Sequence, residues 1–244
     1  MSFASELVQR FLFGIYPYVC VTVFLVGSWL RFEREQYTWR SGSSEMLRKR
    51  QLVWGSNIFH VAAIALVLGH VAGMLTPVSL YTRMGFTVQE HAVLEVFAGG
   101  ISGTICFIGT TILLHRRLFD ARVLRSSSWS DVLILVIIWV QLAIGLATLP
   151  ASWADHVSGQ TLLHAAFWAQ RLVTFRADAW ELLLPIPLVY KLHIVLGLTV
   201  VLLVPFTRLI HIWSAPVWYL GRRYQIVREP YRARTRKGPG WRSA

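Results

Sequence analysis

The chain has 244 residues, 55% hydrophobic and only 15% charged, with a mean hydropathy of +0.51. Soluble globular chains carry about 45–50% apolar and about 25% charged residues, so this composition excludes an ordinary cytosolic enzyme, and its hydrophobicity excludes disorder. The 24 Lys and Arg against 12 Asp and Glu leave a net charge of +12, which fits nucleic acid, an anionic surface or membrane topology until its positions are read.

Five apolar runs approach the roughly 20 residues that cross a bilayer core: 11–30, 52–76, 92–114, 132–150 and 182–213. The last is longer than the rest and holds Lys191 in its first part. The pattern predicts an all-α integral membrane protein, a five-helix bundle over residues 1–221, followed by a basic tail over 222–244. Run 11–30 is too long for a cleaved signal peptide and carries its heavier charge after it, so it reads as a retained anchor. Cys20 and Cys106 fall inside the first and third runs, which predicts no disulfide. Segment 151–181 contains Leu162, Leu163, Ala166, Phe167, Ala169, Gln170 and Val173 at helical spacing, which predicts a helix lying on the outer leaflet. The sequence contains no internal repeat.

The basic residues divide unequally among the loops. Segment 31–50 holds six, segment 115–128 holds four, and the tail after His211 holds eight. Alternate loops share a side, so these eighteen lie together. The other side has only Arg10, Arg83, Arg171 and Arg176. The positive-inside rule then places the N-terminus outside and the C-terminus in the cytoplasm. Ten of the eleven tryptophans stand near run ends or in loops, as an interfacial belt requires, and Trp139 alone is mid-run.

Four of the eight histidines stand inside runs: His60 and His70 in the second, His193 and His211 in the fifth. An intramembrane ionisable group is costly and calls for a partner. One such histidine is ordinarily an interhelical hydrogen bond; two on each of two helices need more. The second run goes outward and the fifth inward, so depth pairs His60 with His211 and His70 with His193. Neither run has an interior Asp or Glu, which excludes a carboxylate-bridged di-iron site. Ten residues of helix separate His60 from His70 by about 15 Å, so the four cannot share one metal. Two isolated pairs fit the axial positions of two haems, each porphyrin supplying four equatorial nitrogens. Without C-x-x-C-H they would be b-type. One mismatch stays open: eighteen residues, about 27 Å of helix, separate His193 from His211. Tilted helices, inclined haem planes or a bend at Pro205 would each account for it.

Small residues at Gly69, Gly73, Gly99, Gly100, Gly103 and Gly197 leave room for a flat cofactor, although helix packing uses the same residues. Arg40, Arg116 and Arg117 at the cytoplasmic face are candidate partners for haem propionates, and positive-inside placement explains them equally well. Two centres at different depths make an electron path across the membrane, with a lipid-soluble quinol as the natural donor at the outer one. His91 opens the third run, where a neutral imidazole accepts a quinol proton; it and Gly69, beside His70, are the candidate quinol-site residues. No Fe–S cysteine set, phosphate loop or triad is visible, so the electrons must pass to a partner docked on the basic inner loops. Nucleic acid is not expected.

The chain resembles the gamma subunits of respiratory nitrate reductases, di-haem cytochromes b, in the strings GSWLRFEREQYTWR (27–40), SNIFHVAAIALVLGHVAGMLTP (56–77), FAGGISG (97–103), RRLF (116–119), WAQRLVTF (168–175) and LHIVLGLTVVLLVPFTRLIHIWSAPVWYL (192–220). The resemblance implies five spans with the N-terminus out. It implies that His60 and His211 bind the haem nearer the catalytic subunits and that His70 and His193 bind the distal one. It implies quinol oxidation at the distal haem, with His91 where some members have Lys. It further implies a bacterial inner-membrane complex with a cytoplasmic Fe–S beta subunit and a molybdenum-containing alpha subunit that reduces nitrate to nitrite. Two other readings remain: a similar subunit of another terminal reductase, and a proton-coupled transporter, which would show broken helices or paired repeats.

Overall fold

A computed structural model describes residues 3–34 and 47–214, and every regular element among them is helical. Helix α1 (Phe3–Arg10) passes through a π turn (Phe11–Ile15) into α2 (Tyr16–Arg34). Then follow α3 (Lys49–Leu75), α4 (Val78–Arg83), α5 (Val88–Phe119), α6 (Ala121–Arg125), α7 (Trp129–Ala147), α8 (Leu149–Ala154), α9 (Gln160–Val173) and α10 (Leu188–Leu203). Five helical stretches are long and apolar enough to cross a membrane: Ser5–Arg34, Lys49–Leu75, Val88–Phe119, Trp129–Ala154 and Leu188–Phe206. The first four overrun the expected spans at one or both ends, because helix ends are capped rather than stopped by hydropathy. Thr87 and Glu90 form a reciprocal capping box at the start of α5, and Ser128 and Asp131 form another at the start of α7. Asp120 accepts from the Arg122 and Val123 amides at the start of α6.

The long helices turn much of their apolar surface outward, as Val61, Ile64, Val67 and Leu68 of α3 illustrate. Each such side chain would lose about 1.5–3 kcal/mol in water relative to burial, and a hydrocarbon environment removes that penalty. Inside the bundle, α3 packs on α5, α5 on α7, α7 on α10 and α10 on α2. No comparable packing joins α3 directly to α10. Glycines set the closest approach: a Cβ on Gly109 would lie 2.7 Å from the backbone nitrogen of Phe59, and one on Gly55 2.9 Å from Ile112. Polar groups tie the remaining pairs. The mid-span Trp139 donates to Thr111 at 3.0 Å, Gln141 donates to the His193 carbonyl at 3.1 Å, and Tyr16 and Thr199 are 2.9 Å apart. Cys20 and Cys106 are both buried and free.

Two expectations are corrected. The final apolar run is no continuous helix over 182–213. A 3-10 turn (Ala179–Leu183) precedes α10, which ends at Leu203; two further 3-10 turns follow, Val204–Phe206 and Arg208–Ser214, with Thr207 extended between them. Pro205 is the cause, since its ring removes a backbone donor and clashes with the preceding turn. The freed carbonyls are satisfied by Arg31 of α2, which donates to Pro205 at 2.7 Å and to Thr207 at 3.2 Å. Gly27 lets α2 approach, for a Cβ there would sit 2.9 Å from the Pro205 ring. The second correction concerns α9. It is a helix as expected, but it packs on α3 and on the Ala179–Leu183 turn. Trp168 is 5% exposed in a cluster with Phe13, Trp180, Leu183 and Ile186, and its indole donates to the Phe13 carbonyl at the π turn. The apolar face therefore closes the end of the bundle, while Phe167 and Val173 stay exposed.

Candidate functional site

The four intramembrane histidines meet in two pairs, His60 and His70 of α3 against His211 of the Arg208–Ser214 turn and His193 of α10. The His60 and His211 ring centres are 6.0 Å apart, and those of His70 and His193 are 6.1 Å apart. The break at Pro205 answers the spacing mismatch. A straight helix would carry His211 about 27 Å from His193; the chain instead leaves the helix at Leu203, is extended at Thr207 and brings the His211 ring within 6.0 Å of that of His60.

The ring nitrogens are oriented from within each helix. His60 Nδ1 lies 2.7 Å from the Ser56 carbonyl, His70 Nδ1 2.8 Å from that of Leu66, and His211 Nδ1 2.6 Å from that of Arg208. A carbonyl only accepts, so each Nδ1 carries the proton and each Nε2 keeps its lone pair, the tautomer a metal ligand needs. His193 differs: its Nδ1 is buried without a hydrogen-bond partner. Its ring lies against Gly145 of α7, where a Cβ would come within 2.8 Å of Cε1. Gly197 plays a similar part, since a Cβ there would lie 3.0 Å from the Gln141 amide that holds the His193 carbonyl.

The donor set does not suit a lone metal ion. Among the described residues no group of three or more His, Cys, Asp or Glu is placed to hold an ion. A structural zinc site needs four such ligands and a catalytic one needs three, so neither fits. Two imidazoles on one metal, with bonds of about 2 Å each, put their ring centres roughly 6 Å apart, the separation of both pairs. A haem brings its own equatorial nitrogens and takes axial imidazoles; the residues present fit that group. Gly69 and Gly99 face open space, whereas Gly100 and Gly103 pack on Leu149 and Leu146 of α8 and α7.

At the end closed by α9, the capping box sets the first turn of α5 and with it His91. The His91 ring stacks on Tyr81 of α4, with centroids 4.4 Å apart and planes 5° from parallel. Its Nδ1 is 3.6 Å from Glu95 Oε1. Burial pushes the Tyr81 phenol up, and the Glu95 carboxyl adds to the rise. His91, Tyr81, Gly73, Thr76, Val88 and Leu162 line a small cleft here. Gly69 stands apart from that lining. Glu95 is the residue that sequence reasoning missed; its signals were its place inside the apolar run 92–114 and its i,i+4 spacing from His91.

The α6 end is ionic. Arg116 is 3% exposed and donates to the Leu47 carbonyl at 2.6 Å. Arg117 is buried, donates to Ser127 at 3.0 Å, and lies 3.4 Å from Asp131, whose other oxygen is 4.0 Å from Arg208. Arg48 bonds Asp120 at 2.7 Å. Desolvation raises the Asp120 carboxyl, but the Val123 and Arg122 amides and Arg48 outweigh it and hold it below the usual aspartate value. Arg40 and the basic tail 222–244 lie outside the described residues.

Comparison with known proteins agrees with this architecture. Residues 9–230 match the family model described as nitrate reductase gamma subunit. The chain is 45% identical over 223 residues to the respiratory nitrate reductase 1 gamma chain of Escherichia coli (strain K12), covering 91% of this chain and 98% of that one. It is 46% identical over 218 residues to the respiratory nitrate reductase 2 gamma chain of the same organism, covering 89% and 96%. The nitrate reductase gamma chain of Bacillus subtilis (strain 168) is 36% identical over 220 residues, covering 90% and 98%.

Proposed function

The chain belongs to the nitrate reductase gamma subunit family, and from that premise we propose that it is the membrane subunit that oxidises quinol and passes electrons through two b-type haems to the other subunits of the complex. The observation that carries the reading is the pairing of His60 with His211 and His70 with His193, at 6.0 and 6.1 Å. When bound, two haems supply one-electron carriers at two depths. The protein's part is to hold four imidazoles in place. Ser56, Leu66 and Arg208 carbonyls fix three tautomers, and Gly145 gives the fourth ring its room. His91 takes a quinol proton beside the His70–His193 pair.

The same reading orients the chain. Eighteen of 24 basic residues belong to segments 31–50, 115–128 and the tail, so these face the cytoplasm and α9 faces outward. The α6 end then meets the partners, an Fe–S beta subunit and a molybdenum-containing alpha subunit that reduces nitrate, at a bacterial inner membrane. Arg116 and Arg117 keep that face positive beside the inner haem. Oxidising quinol outside and delivering electrons inside costs about 2.3 kcal/mol per electron per 100 mV, which a strong cytoplasmic acceptor supplies. No observation favours a transporter: the break in the fifth span has its carbonyls taken by Arg31, not offered to an ion.

The test is optical. The purified complex is expected to show b-type haem bands. His60→Ala and His70→Ala are each expected to remove a different haem and leave the other. Absence of haem bands, or retention of both haems in both variants, refutes the assignment.

A further inference from the structure

We propose that Glu95 and His91 act as a proton relay that draws the quinol's protons out of the cleft beside the His70–His193 pair. The inference rests on the quinol-oxidising reading above. Both residues are on the same face of α5, one turn apart. The Glu95 side chain lies across the α3 backbone at Gly73, three residues beyond His70. A Cβ on Gly73 would collide with the Glu95 carboxylate, so only glycine makes room for it. Glu95 Oε1 is buried and has no hydrogen-bond partner among the described residues. It faces His91 Nδ1 at 3.6 Å, which is beyond a hydrogen bond and within a small adjustment of one. Catalytic hydrogen bonds are often long in the free protein and tighten with substrate. The stack on Tyr81 keeps the imidazole from swinging away. A buried carboxylate oxygen that bonds nothing is poorly explained as a structural tie, and well placed to accept a proton that arrives only during turnover.

The step balances as follows. Oxidation of one quinol to quinone releases two electrons and two protons. The electrons would pass one at a time to the group that His70 and His193 would hold. Each O–H proton goes to His91 Nε2, while the Nδ1 proton passes to the Glu95 carboxylate and makes it a neutral acid. Release of that proton to outer water leaves His91 protonated at Nε2, and exchange of that proton for one at Nδ1 through water restores the starting tautomer for the second. Glu95 never touches the quinol; it acts through His91.

The experiment uses the intact complex with both haems and duroquinol as donor. Glu95→Gln keeps the side chain's shape and removes its basicity. Haem reduction is expected to slow at least about tenfold, as loss of a base in a proton-transfer step does, with the KM for duroquinol and both haem spectra unchanged. Glu95→Asp is expected to recover part of the rate. A second readout is independent of rate: the infrared difference between quinol- and quinone-treated complex should contain the carbonyl stretch of a protonated carboxyl group, and Glu95→Gln should remove it. A normal reduction rate in Glu95→Gln, or a carbonyl band that persists, overturns the relay alone. Haems that duroquinol does not reduce in the unaltered complex overturn the quinol reading and the relay with it. If Glu95→Gln does not assemble, Gly73→Ala, which crowds the carboxylate out of place, is expected to slow reduction similarly; normal rates there overturn the relay.

Discussion

The two histidine pairs share one means on α3, where His60 and His70 each bond a carbonyl one turn back, but their second members, His193 and His211, are held by opposite means. At the α9 end, His193 stands in an unbroken helix and is positioned by the absence of side chains: Gly145 leaves space for its ring, and its Nδ1 bonds nothing. Around the His193 ring itself the close contact is Gly145, while Gln141 holds the backbone carbonyl and the Arg171–Asp178 ion pair lies further out beyond α9. At the α6 end, His211 follows a helix break and is positioned by bonds: Arg31 holds the broken turn, and the Arg208 carbonyl holds the ring. The surroundings there are ionic, with Arg117, Asp131 and Arg208 in one group and Arg48 with Asp120 in another. The contrast teaches that steric room and electrostatic ties are alternative ways to place a histidine ring. The less charged end suits a lipid-soluble donor, and the more charged end suits docked protein.

The strongest way to break this contrast is to fill the space at Gly145. Gly145→Val puts a branched Cβ where 2.8 Å separates an added atom from His193 Cε1. The ring must leave, and no hydrogen bond at Nδ1 would hold it. The complex is expected to lose the haem held by His70 and His193 and to keep the other, so absorbance of the haem bands falls by about half. Unchanged haem content would show that the ring has slack and that space does not position it.

A smaller effect is expected at the other end. Gly27→Val presses on the Pro205 ring, where an added Cβ sits at 2.9 Å. Overpacking of this kind costs about 1–3 kcal/mol, and the Arg31 bonds resist full displacement. The His60–His211 haem is expected to stay bound at room temperature and to be lost at a lower temperature than in the unaltered complex. Loss of the His70–His193 haem instead would mean that the two ends are not independent.

Much of this was legible in the residues, for physical reasons that differ by feature. The spans follow from run length, and the histidine pairing follows from depth, because both are properties of single segments. The break at Pro205 was one of several ways to reconcile two spacings; hydropathy sees 182–213 as one apolar run, and the partners that accommodate the break, Gly27 and Arg31, lie on a distant helix. Gly145 was invisible, since a glycine's meaning lies in the side chain that faces it. Glu95 was legible as an ionisable residue inside the apolar run 92–114, but what it faces, Gly73 of α3 and His91, only the packing shows. The cover on the apolar face of α9 was hidden for the same reason as Gly145: Trp168 meets Phe13 across 155 residues.

The smallest predicted effect probes the ionic end by pH. Asp120 ionises more readily in the fold than in the unfolded chain, because two amides and Arg48 favour its charged form over the opposing cost of desolvation. A depressed carboxylate stabilises the fold above its unfolded value of about 3.9, and that contribution disappears as pH falls through the folded value. Asp120→Asn keeps an acceptor for the α6 amides but loses the charge that Arg48 pairs with. At pH 7 the variant should melt slightly below the unaltered protein, and the gap should close as pH is lowered through the acid range. A gap that stays constant with pH would assign the loss to the helix cap rather than to the charge. The same titration at the α9 end should leave melting unaffected by Asp120, because no bond links it to α9, and a shift in the His70–His193 haem with this substitution would contradict the separation of the two ends.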